Sequence, residues 1–96
     1  DLAYTVATQT AATRNETATS GEKVILCDTT SNSITVNLPT AVGNTAKFHI
    51  KKIAAANTVT VDGATTETID GSLTAAWTPV NVSYTLISDN VNWRII

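Results

Sequence analysis

The sequence predicts an all-β fold: an antiparallel β-sandwich, jelly-roll-like, of eight or nine short strands. Three observations carry that expectation. Nineteen of the 96 residues are Thr, and with Val and Ile they give the chain the β-branched character that suits strands. Leu is sparse and charged residues make up 15%, which leaves little material for long amphipathic helices. Several short stretches alternate apolar and polar residues with a period of two, separated by turn-forming residues. No segment offers the crossover helices that parallel strands usually need, so pairing is expected to be antiparallel throughout.

The elements follow in order. Residues 1–20 are Ala/Thr-rich and nearly free of large apolar side chains, so they are expected to form an extended N-terminal arm or linker. Within it, only Tyr4 and Val6 alternate as a short edge strand would. Ser20-Gly21 turns the chain into a β-sandwich domain over 21–96. Lys23 to Cys27 is a continuous apolar run, as expected for a strand covered on both faces. Ile34, Val36 and Leu38 alternate with polar residues until Pro39 stops the strand. Phe48 and Ile50 face one way and Lys47, His49 and Lys51 the other, with the alternation breaking at Lys52-Ile53.

Two short units ending in Asp-Gly follow, Thr58 to Gly63 and Thr66 to Gly71. They read as adjacent strands in one sheet, since two copies fall short of a solenoid. Leu73 to Trp77 is a further strand. Val80, Val82, Tyr84 and Leu86 then form a hairpin with Val91, Trp93 and Ile95 around Ser88-Asp89-Asn90. The parity of these strands places Val91, Trp93 and Ile95 in the core opposite Val80, Val82, Tyr84 or Leu86. Ile34, Val36, Phe48, Ile50, Val59 and Val61 complete the layer.

Composition also excludes function classes. A net charge of −2 argues against nucleic acid, whose binders carry a basic patch. No apolar run approaches the ~20 residues that would insert in a membrane as a helix. The opening residues lack the charged-then-apolar pattern of a secretory signal. One cysteine rules out an intrachain disulfide framework. So short a chain without disulfides gains from oligomerisation.

Candidate chemistry is sparse. His49 is the sole histidine, flanked by Lys47 and Lys51, and reads as a surface or subunit-interface residue. Cys27 reads as a small buried hydrophobe, nucleophilic only if the fold sets a base such as His49 beside it. Asp62, Glu67 and Asp70 invite a calcium site or a glycosidase pair, but no D-x-D-x-D-G loop exists and turn formation explains both Asp-Gly pairs. The reading is therefore of no catalytic residue, no metal and no cofactor. Trp77, Trp93, Tyr4 and Tyr84 offer faces for stacking on sugars; Trp77, just before Thr78-Pro79, is the better candidate for an exposed platform, and Trp93 belongs to the core.

From Val24 to Ile96 the chain resembles a recurring module of tailed-bacteriophage tail fibres, tailspikes and related virion fibre proteins. The likeness is carried by Val24-Ile25-Leu26-Cys27-Asp28-Thr29-Thr30, Ile34-Thr35-Val36-Asn37-Leu38-Pro39, Phe48-His49-Ile50-Lys51-Lys52, Asn57-Thr58-Val59-Thr60-Val61, Glu67-Thr68-Ile69-Asp70-Gly71 and Leu86-Ile87-Ser88-Asp89-Asn90-Val91-Asn92-Trp93, in the module's order. Where the module often has Gly in its last turn this chain has Asn90, which also accepts positive φ. The resemblance implies a homotrimeric, non-enzymatic structural or adhesive domain of the virion. Its partners would be its own copies, other virion proteins and bacterial surface polysaccharide. A capsid decoration or head-fibre protein is the alternative, and the carbohydrate-binding tip of a depolymerase a third.

Overall fold

The computed structural model describes residues 2–96; Asp1, the first residue of the expected arm, lies outside them. Nine strands and no helix are found among the described residues: β1 (Tyr4–Gln9), β2 (Thr13–Asn15), β3 (Glu22–Cys27), β4 (Ile34–Asn37), β5 (Lys47–Lys52), β6 (Val59–Asp62), β7 (Thr74–Trp77), β8 (Ser83–Ser88) and β9 (Trp93–Ile95). They form a five-stranded sheet of order β1-β3-β5-β8-β9 and a four-stranded sheet of order β2-β4-β6-β7.

The all-β expectation is correct and the all-antiparallel one is not. β1, β3 and β5 run parallel in the first sheet, and β2, β4 and β6 run parallel in the second. The antiparallel pairs are β5–β8, β6–β7 and β8–β9, so no antiparallel ladder of the jelly-roll kind joins any two of the first six strands. A parallel pair needs a crossover of a dozen or more residues. Here each crossover is a strand of the opposite sheet: β2 links β1 to β3, and β3 links β2 to β4. The chain thus winds as three stacked coils, β1–β2, β3–β4 and β5–β6, and closes with the antiparallel β7–β9.

The second and third coils repeat in register. Glu22 pairs with Lys47 and Ile34 with Val59, the same advance along the chain in both sheets. The inward side chains therefore stack in rows: Ile25 on Ile50, Cys27 on Lys52, Ile34 on Val59 and Val36 on Val61. These rows, with Leu38, Phe48, Ile69, Trp77, Leu86 and Trp93, are the core. Trp93 lies edge-on to Phe48 with ring centroids 5.5 Å apart, and its indole N–H donates to the Pro39 carbonyl at 3.1 Å. Corner asparagines stitch the coils together. Asn32 donates to the Thr10 carbonyl, Asn57 to the Thr29 carbonyl, and Asn37 to the Asn15 side-chain oxygen at 2.9 Å.

The expected arm is the first coil. β1 and β2 lie within residues 1–20 and are held by ladder hydrogen bonds to β3 and β4, which need no large apolar side chains. The inward positions of this coil are Ala7, Gln9 and Arg14, in register with Ile25, Cys27 and Val36. Arg14 hydrogen-bonds Gln9 and Glu16, so a satisfied polar layer closes the end of the apolar stack. Stacked repeats need such a polar end cap.

Other expectations need correction. Thr66 to Gly71 is not a strand: it makes only isolated bridges at Ile69 and carries two positive-φ turn residues, Asp70 and Gly71. Glu67 is folded back there, close enough that a Cβ on Gly63 would meet its carbonyl oxygen at 2.5 Å. Val80 and Val91 are not core residues, being 43% and 63% exposed. Each precedes its strand: β8 starts at Ser83 and β9 at Trp93. The Asp89 carboxylate accepts the N–H groups of Val91 and Asn92, a local turn that ends the period-2 parity. Lys52, where the alternation breaks in composition, keeps the inward parity and is fully buried. Asn90 has φ 75°, as its place in the last turn requires.

Size does not force a partner on this fold. Its 5029 Å² of accessible surface is near the ~5,300 Å² expected of an ordinary monomer of its mass.

Candidate functional site

Trp77, the expected sugar platform, is 5% exposed. Inward parity on β7 packs its ring against Tyr84 at 4.2 Å, and its indole N–H donates to the Val82 carbonyl at 3.1 Å. A ring so enclosed presents no face to a sugar. The aromatic that does reach solvent is Tyr4, 40% exposed on edge strand β1.

Cys27 and His49 sit on neighbouring strands with opposite parity. The β3–β5 register sets Val24 beside His49 and Lys52 beside Cys27, so the thiol points into the core and the imidazole out. Burial pushes the Cys27 thiol up to about 11, against a smaller lowering by Arg14. A buried, protonated thiol is a poor nucleophile.

His49 is built into a polar chain across three strands. Its Nδ1 is 2.9 Å from the Thr85 hydroxyl on β8, and its Nε2 is 3.3 Å from the Glu22 carboxylate on β3. Lys47 reaches the other Glu22 oxygen at 3.8 Å. The link to Thr85 follows from a sheet order that sequence spacing does not reveal. Around this chain the outer face of the five-stranded sheet carries Tyr4, Val6, Val24 and Leu26 on one side and Ser83, Thr85 and Ile87 on the other.

The three carboxylates considered for a metal or glycosidase site are dispersed in role. Asp62 lies on the outer face of the four-stranded sheet, paired in register with Asn37 and Thr74. Glu67 accepts from the Thr40 hydroxyl at 2.6 Å and the Ala41 N–H at 2.8 Å, pinning the 40–44 loop. Asp70 accepts the Ile95 N–H at 3.2 Å. Among the described residues no group of three or more His, Cys, Asp or Glu is placed to hold a metal.

The outer face of the four-stranded sheet is polar and regular. Thr13, Thr35 and Thr60 align in one row, continued by Ala76; Asn15, Asn37 and Asp62 align in the next, continued by Thr74. Hydroxyls and amides thus repeat at the inter-strand spacing of about 4.8 Å. Neither the protein-family models nor the curated proteins contain a match to this chain.

Proposed function

We propose that the chain is a structural and adhesive module of a bacteriophage tail fibre or spike. It acts as a homotrimer among other virion proteins and contacts bacterial surface polysaccharide without catalysing its cleavage. The observation that supports this best is the stacking of three coils, with rows of Thr, Asn and Asp on one outer face and Lys47, His49 and Lys51 across the other. A rod-like appendage needs rigidity along its length and a hydroxyl- and amide-rich surface for glycans, and this winding provides both. The ordered resemblance from Val24 to Ile96 adds to it. The tests are sedimentation equilibrium and binding of the labelled chain to bacterial cells, with and without their surface polysaccharide. A trimer that binds only polysaccharide-bearing cells supports the reading; a monomer that binds neither overturns it.

A further inference from the structure

The charges are distributed unevenly. The chain is acidic overall, yet the outward positions of β5, the central strand of its sheet, are Lys47, His49 and Lys51. Alternation sets the two ammonium groups on one face, two repeats or about 13 Å apart along the strand. Among the described residues the one acid within the paired strands on that face is Glu22, which Lys47 and His49 already engage, while Asp89 in the β8–β9 turn is taken up by Arg94. Lys51 forms no ion pair among the described residues, and its cross-strand neighbours are Leu26 and Ser83. Thr85 adds a hydroxyl beside His49. Cations in line, hydroxyls along one flank and apolar side chains along the other match a sugar acid, which offers carboxylates, hydroxyls and a C–H face. Face-to-face packing of a second copy would instead bring two sets of lysines together.

We infer that the outer face of the five-stranded sheet, centred on Lys47, His49 and Lys51, binds an acidic polysaccharide. The inference rests on the adhesive reading above and gives it a site and a ligand class. The probe is polygalacturonate, with neutral dextran as its control, in affinity electrophoresis of the full chain. Polygalacturonate should retard the chain, less so as salt rises. A Lys47→Gln/Lys51→Gln variant should bind more weakly, by up to about fivefold per lysine. Asp62→Asn, on the opposite outer face, should leave retardation unweakened. Circular dichroism and sedimentation equilibrium of each variant accompany the assay. Equal retardation by dextran, or no change in the double lysine variant, overturns the inference. So does loss of trimer in that variant, which would make the face a subunit contact. Cell binding that survives the lysine changes removes this site while leaving the adhesive reading intact. Binding to neither cells nor polygalacturonate removes both.

Discussion

Replacing Trp93 by Ala tests the packing most directly. The side chain is fully buried, stacks edge-on to Phe48, and supplies the N–H that the Pro39 carbonyl accepts. Truncating a large core aromatic costs about 3–5 kcal/mol. Two features place this site in the upper part of that range. The edge-on pair adds about 0.5–1.5 kcal/mol beyond area burial, and the Pro39 carbonyl loses its donor. A domain of this size has a total stability of roughly 5–14 kcal/mol, so a loss of about 4 kcal/mol removes from about a third to most of it. It should lower Tm by at least ~15 °C. The assay is a denaturant titration followed by far-ultraviolet circular dichroism, with Trp93→Phe alongside. Phe restores most of the apolar volume but not the N–H, and should recover more than half of the loss. A Trp93→Ala loss of only about 1 kcal/mol, no more than an average substitution costs, would refute the packing described here.

Four further outcomes follow from particular residues. Lys52→Met should be neutral or stabilising by up to about 2 kcal/mol, because the buried ammonium donates to the Ala54 carbonyl at 2.5 Å with no acidic partner among the described residues; a clear loss in the same titration would give that hydrogen bond the larger role. The N–H groups of Asn92 and Val91, with Arg94, hold the Asp89 carboxyl at about 2, below its ordinary 3.8. Its contribution is therefore complete above about pH 5 and is lost as pH falls toward 2, so Asp89→Ala should flatten that part of a Tm-versus-pH curve and change it little in shape above. Cys27 should resist a water-soluble thiol reagent in the folded chain and react on unfolding; prompt labelling under native conditions would contradict its burial. Hydrogen exchange should be fastest in β1 and β2 among the strands, because Ala7, Gln9 and Arg14 give this coil little apolar anchorage.

Local alternation was legible wherever a strand has a buried and an open face. It placed Ile34, Val36, Phe48, Ile50, Val59, Val61, Leu86 and Trp93 inside, and all are buried. It failed at Val80 and Val91 because both lie in turns rather than in the pleat: Asn81 after Val80 takes a φ of 66°, and the Asp89 carboxylate accepts the Val91 N–H. Strand direction was not legible from alternation at all, since period 2 is the same for parallel and antiparallel neighbours. The relevant signal was a longer period. Asn32-Ser33-Ile34-Thr35-Val36-Asn37 and Asn57-Thr58-Val59-Thr60-Val61-Asp62 match position by position one coil apart, and Thr13-Arg14-Asn15 repeats the Thr-x-Asn ending of the first. The shorter echo between Thr58–Gly63 and Thr66–Gly71 obscured it, because Asp-Gly recurs wherever the chain turns.

The same winding explains why the surface was harder to read than the core. A core position needs only its own strand's parity, whereas an outer-face neighbour depends on which strands the coil places side by side. Glu22, His49 and Thr85 are far apart in sequence and meet because β3, β5 and β8 are adjacent in one sheet. Trp77 illustrates the converse. Its position before Thr78-Pro79 at a strand end suggested exposure, but β7 closes the four-stranded sheet with inward parity at Trp77, opposite Val59. Its ring then covers the end of the Ile34–Val59 row, where an aromatic seals more apolar surface than any smaller residue. The sugar-binding role proposed above therefore rests on residues whose outward parity is fixed by the ladder, Lys47, His49 and Lys51 among them, and not on the tryptophans, which are buried.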